Sequence, residues 1–145
     1  FDAGSRNIIE YHGNTRLLHC KKCDKKFPRC EFIEIPPKCP YCNQILKPDI
    51  VFFGENIPKE ALIETEKLLD GVGCMLIIGT SGVVFPAGYV PIVAKRSGAI
   101  IIEINVTESE YTKSITDIFI EEKASIAMEE LQSCIIMSSK AKLHR

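Results

Sequence analysis

At 145 residues with 46% hydrophobic content, the chain has material for one core and a small appendage rather than two full-sized domains. Its 18 basic and 19 acidic residues, a formal net charge of −1, argue against the broad cationic surface that nucleic-acid phosphates require, and its apolar runs fall far short of the roughly 20 residues of a membrane span. No secretory leader opens the sequence and four of its seven cysteines form two Cys-x-x-Cys pairs, so the expectation is a soluble, cytoplasmic protein with reduced thiols, no membrane partner and no disulfide scaffold.

In chain order, the first feature is His12, beside Gly13 and eight residues ahead of the first cysteine pair. An imidazole there serves equally well as a metal ligand, a general base or ordinary packing, and the residues alone leave the choice open. Residues 17–47 are rich in Cys, Lys and Pro with few periodic apolar positions, which predicts a loop-rich module that cannot hold itself by burial. Within it Cys20, Cys23, Cys39 and Cys42 have the C-x2-C-x15-C-x2-C spacing of a zinc ribbon. Each pair turns two thiolates toward one edge of a tetrahedron, and four complete the shell, leaving no place for water; such a site is structural. A disulfide pair or an iron–sulfur cluster is the alternative. Cys30 and His19 are close enough in sequence to compete as ligands, but neither belongs to a pair, and a partly buried thiol and a surface imidazole are the simpler readings. Lys21, Lys22, Lys25, Lys26 and Arg29 crowd the first pair as a solvated cationic face, with nucleic-acid contact as the competing interpretation.

From Pro48 onward short apolar runs alternate with helical patterns. "DIVFF" (49–53), "CMLIIG" (74–79), "AIIIEIN" (99–105) and "DIFI" (117–120) are apolar on both faces, which predicts buried parallel strands. Helices are predicted over 58–71, with Pro58 in the first turn and Gly71 at the stop, and over 87–98. A third carries the apolar stripe Ala124, Ala127, Met128, Leu131 and Ile135. The fold class is therefore α/β: a partial Rossmann-like parallel sheet with helices on both faces, formed by 1–16 and 48–145, plus the small zinc-ribbon module at 17–47. Gly79, Thr80, Ser81 and Gly82 follow a predicted strand, where an α/β sheet binds phosphate, although a plain turn fits the bare motif as well. Glu103 and Asn105 end the next strand, where a ribose hydroxyl is usually met.

Taken together, "AGSRNIIEYHG", the four-cysteine spacing, "KPDIVFFGENIP", "GTSGVVFPAG" and "IIEIN" occur in the order and approximate spacing of the sirtuins, and from Ala3 to about Leu131 the chain resembles that family of NAD-dependent protein lysine deacylases. The resemblance implies transfer of an acyl group from lysine to the ADP-ribose of NAD with release of nicotinamide. It makes His12 the general base toward a ribose hydroxyl, a step suited to an imidazole of ordinary pKa about 6.5. It also implies that backbone groups around Gly54 and Glu55 pair with an extended acyl-lysine peptide and that Val51 and Phe53 line the acyl-lysine tunnel, with Val84 and Pro86 forming the opposite wall. For Val51 and Phe52 a role in a central strand and nothing more stays open. Gly79, Thr80 and Ser81 match ribose and phosphate contacts, Asn105 the adenosine ribose contact, and Lys123 a backbone position beside the adenine.

Two departures stand out. Glu122 occupies a position where the family usually has Gly, which leaves the adenine contact in question. The family's Gly-Ala-Gly loop and Gln-Asn-x-Asp motif, which normally precede "AGS", are not in this sequence, so weak catalysis is expected of the chain by itself, and a non-catalytic zinc-ribbon and Rossmann binding module is the alternative function.

Overall fold

The computed structural model describes residues 3–142 and divides into two compact units, one up to Glu66 and one from Lys67. Residues 1–2 and 143–145 lie outside the described residues.

The first unit is built on an antiparallel sheet of β1 (Gly13–Cys20), β2 (Lys25–Pro28) and β3 (Lys47–Ile50), in the order β2-β1-β3. β1 and β2 pair from Leu17 opposite Pro28 to Cys20 opposite Lys25. β1 meets β3 at Gly13 with Ile50 and again at Leu18 with Pro48, and the register shifts between the two. Leu18, Cys20, Cys39 and Leu46 are buried, with Phe27 and Phe32 packed around them edge-on at 5.8 Å between ring centroids. Two of the four buried residues are cysteines, so aliphatic burial by itself provides little to order this segment.

The run "DIVFF" departs from expectation. Its strand is Lys47–Ile50, antiparallel to β1, and it stops before Val51; Phe53 is 97% exposed. A short apolar run does not distinguish a parallel from an antiparallel partner. Here Ile50 is the residue of the run that pairs, opposite Gly13, and the chain then turns, with Glu55 N–H donating to the Phe52 carbonyl at 2.9 Å.

Helix α1 (Lys59–Leu69) fills the interval predicted between Pro58 and Gly71. The second unit carries the parallel sheet, β4 (Cys74–Ile78), β5 (Ile100–Asn105) and β6 (Ile118–Glu121), ordered β4-β5-β6. Met75 pairs with Ile101 and Ile104 with Ile120. Helix α2 (Tyr89–Arg96) contacts β4 and β5, and α3 (Ala124–Lys142) contacts β5. The core gathers Leu69, Ile77, Ala94, Ala99, Ile101 and Tyr111. β4 is apolar on both faces but buried on one: Ile77 points into the core, whereas Cys74, Leu76 and Ile78 are exposed.

Glu103 is fully buried on β5, and its carboxylate accepts hydrogen bonds from three hydroxyls: Ser109 Oγ, Thr112 Oγ1 at 2.7 Å and Thr116 Oγ1 at 2.8 Å. It therefore ties the 109–116 segment to the sheet and does not offer itself to a ribose. Burial pushes its pKa up, the hydroxyls pull it down, and the net direction is down, so its contribution to stability is present above the ordinary carboxylate pKa and is lost as pH falls through the lower folded value. Glu103→Gln should cost on the order of 1–3 kcal/mol in urea unfolding at neutral pH, because an amide cannot accept from all three donors; an unchanged midpoint would remove the network from the stability of this unit.

Candidate functional site

The cysteine pairs form two equivalent knuckles. Asp24 N–H donates to the Cys20 carbonyl at 2.8 Å and Asn43 N–H to the Cys39 carbonyl at 2.9 Å. Asp24 and Asn43 take the left-handed conformation, φ 55° and 60°, which these two residue types tolerate better than most. The four sulfurs lie within 4.8 Å of one another, and Cys20 and Cys42 Sγ are 3.6 Å apart. A tetrahedral zinc with Zn–S bonds of about 2.3 Å separates its sulfurs by about 3.8 Å, so the set fits that ion. The electrostatics agree: the N–H of Cys23, then that of Lys22, pull the Cys20 thiol down to about 7. The hydrogen bond with Cys42 and the crowding of the other sulfurs push Cys23 up to about 12. Four thiolates this close ionise together only around a cation.

No His belongs to the cluster among the described residues. His19 Nε2 pairs with Asp24 Oδ1 at 2.8 Å, Cys30 is exposed, and His12 lies before β1. His12 is exposed, its ring meets Tyr11 edge-on at 5.6 Å, and its carbonyl accepts the Val51 N–H at 3.0 Å. The reason for Gly13 is steric. Its φ is +71°, and a Cβ built there would stand 2.0 Å from the Asp49 carbonyl oxygen, a contact that requires the backbone to part. Thus the start of β1 and the end of β3 are locked together, and His12 is fixed beside Val51.

In the second unit the turn Gly79–Gly82 leaves β4 at its carboxyl end. Gly79 N–H donates to the Ile104 carbonyl at 3.0 Å, and Asn105 Nδ2 donates to the Thr80 carbonyl at 3.0 Å. A Cβ at Gly82 would meet the Tyr111 ring at 3.0 Å, while the Tyr111 hydroxyl donates to the Gly88 carbonyl at 3.1 Å. Gly79, Thr80, Ser81 and Asn105, with Thr107–Glu110, line a cleft of about 300 Å³. The 107–110 wall carries no motif and could be found in the sequence only by following the strand past Asn105. Lys123 does not line this cleft, but Glu122 N–H donates to the Asn105 carbonyl at 3.1 Å, which places it at the same sheet end. The Glu122 carboxylate accepts the Lys123 N–H at 2.6 Å. Val84 and Pro86 follow the turn and are exposed.

The Sir2 family profile matches residues 1–86. The chain belongs to the Sir2 family. It is similar to NAD-dependent protein deacylases of Pyrococcus abyssi, 44% identical over 130 residues, and of Thermococcus kodakarensis, 44% identical over 138 residues. These alignments cover 85% and 90% of this chain and 52% and 53% of those proteins, so the chain spans about half the length of the curated relatives it matches. Among solved structures it is similar to a Sir2 homologue in complex with ADP ribose, with a TM-score of 0.89, 36% identity and coverage of 95% of this chain and 56% of that one. It is also similar to a complex described as Sir2-p53 peptide-NAD+, with a TM-score of 0.82, 33% identity and coverage of 92% and 58%.

In this Sir2-family chain a zinc ion on the four cysteines would account for the order of residues 17–47. Structural zinc binding is worth on the order of 10 kcal/mol or more, far beyond what the few buried aliphatic side chains there supply. Removing the metal with a high-affinity chelator should therefore abolish amide protection across β1 and β2; protection that survives complete metal removal would mean the module is held by something else.

Proposed function

We propose that this chain carries the general base and the substrate-presenting segment of an NAD-dependent protein lysine deacylase. The observation that carries the reading is the hydrogen bond from Val51 N–H to the His12 carbonyl, which fixes the base beside the segment that would receive the acyl-lysine. The names of the relatives support it. In this reading NAD would supply the ribose carbon that the acyl oxygen attacks, nicotinamide as the group that leaves it, and the ribose hydroxyl that takes over the acyl group.

His12 takes a proton from a ribose hydroxyl; with no protein partner on its ring nitrogens among the described residues, the imidazole is available for it. Val51 and Phe53 would line the path of the lysine stem, the backbone around Gly54 and Glu55 would pair with an extended peptide, and Val84 and Pro86 would contact the peptide as well. Gly79, Thr80 and Ser81 would hold ribose and phosphate, Asn105 the adenosine ribose, and the Lys123 backbone the adenine edge. The module at 17–47 is read as an insertion within a Rossmann-like domain of 1–16 and 48–145, with Gly13 opposite Ile50 near the point where the chain leaves and returns. A reducing cytoplasm suits the four thiols; among the described residues no helix is long and apolar enough to cross a membrane.

Two substitutions test the reading in the full-length protein. His12→Asn should lower formation of the acyl-ADP-ribose product by at least about 100-fold with peptide binding retained, and unreduced turnover would take His12 out of the mechanism. Because the Glu122 carboxylate already occupies the Lys123 N–H, Glu122→Gly should lower the KM for NAD several-fold with little change in kcat. A KM that stays the same or rises would place the adenine elsewhere.

A further inference from the structure

The side chain of Glu55 is three-quarters covered and accepts from three separate parts of the first unit. Lys21 Nζ reaches Oε1, Lys47 Nζ reaches Oε2 at 2.6 Å, and the Phe52 N–H reaches Oε2 at 3.2 Å. Lys47 Nζ also donates to the Ile50 carbonyl at 2.8 Å and stands 4.7 Å over the Phe52 ring. Lys21 lies inside the knuckle between Cys20 and Cys23, and Lys47 is the first residue of β3. One carboxylate thus joins the knuckle, the strand and the turn at Phe52–Glu55. The two ammonium groups, with the Phe52 N–H, hold its pKa at about 2, so the charge persists at any working pH.

The turn has little else to fix it. Its own backbone contributes the Glu55 N–H to Phe52 carbonyl bond, Phe52 is 49% exposed and Phe53 is 97% exposed, so apolar burial does not define its shape. A backbone that must present evenly spaced donors and acceptors to an extended peptide needs that shape set in advance, because ordering it on binding costs affinity. We propose that Glu55 is a positioning residue: without touching substrate, its carboxylate, held by Lys21 of the cysteine knuckle and by Lys47, preorganises the 52–55 backbone for addition of the acyl-lysine peptide as a strand. The proposal rests on the deacylase reading for the identity of the peptide.

The test uses the zinc-loaded full-length protein, an acetyl-lysine peptide and its unmodified counterpart, with Glu55→Gln, Lys21→Met and Lys21→Arg. Glu55→Gln and Lys21→Met should each weaken acetyl-lysine peptide binding on the order of five- to tenfold and speed hydrogen exchange at the Phe52 amide on the order of tenfold. Lys21→Arg should restore both, while ADP-ribose affinity and the spectrum of a cobalt-substituted cysteine site stay unchanged in all three. Unaltered peptide affinity and Phe52 exchange in both charge-removing variants would overturn the positioning role. Equal binding of the two peptides by the unsubstituted protein would instead overturn the deacylase reading and, with it, the substrate part of this proposal.

Discussion

The contact between Gly13 and the Asp49 carbonyl is the constraint on which the first unit depends. No side chain fits between them, so the two backbones approach closely, and the segment between them must leave and return at one point. Everything in 17–47 is therefore a closed excursion whose ends are already joined. The same contact places the peptide unit after His12 where its carbonyl can take the Val51 N–H. The backbone at His12 is thus fixed by main-chain contacts, while its ring meets Tyr11 edge-on.

A closed excursion still has to be ordered inside, and its composition sets how. Leu18 and Leu46 are the aliphatic residues of its core cluster, while its exposed positions include many lysines and prolines. Ordering roughly 1–2 kcal/mol per residue of backbone freedom by so little burial is not feasible, so a cross-link has to replace it. The knuckles supply one with local means: a left-handed Asp or Asn after the second cysteine and N–H groups turned toward a sulfur. The cation-rich face around the first knuckle is partly consumed in structure, with Lys21 and Lys47 on Glu55 and Lys26 on Asp49. That leaves less of it for phosphates than the sequence count suggests.

Legibility in the sequence followed the range of the interaction concerned. The cysteine site was readable because a knuckle is made by neighbours, and α1 because Pro58 and Gly71 mark its ends. β5 was readable from an unbroken run of isoleucines. β1 and β2 were not anticipated: Thr15, Arg16 and His19 in one and lysines in the other obscure strands whose buried side consists largely of Leu18, Cys20 and Phe27. The run 49–53 has strand composition, but the partner of Ile50 is Gly13, far back in the chain, and nothing local gives the direction of pairing. Glu103 shows the same limit at a site. An acidic residue at a strand end fits a ribose contact and a buried anchor equally well, and Ser109, Thr112 and Thr116, which decide between them, are spread along a later segment. The Glu122 carboxylate on its neighbour's N–H was foreseen as a substitution, though not as an occupied hydrogen bond.

The position of β4 has a practical side. It is the margin of its sheet, five residues of β-prone sequence with Cys74, Leu76 and Ile78 facing outward and no charge to repel a second copy. Strand margins of this kind are templates for pairing between molecules. Among the described residues the outer edge of Cys74–Ile78 is therefore left open to one more strand.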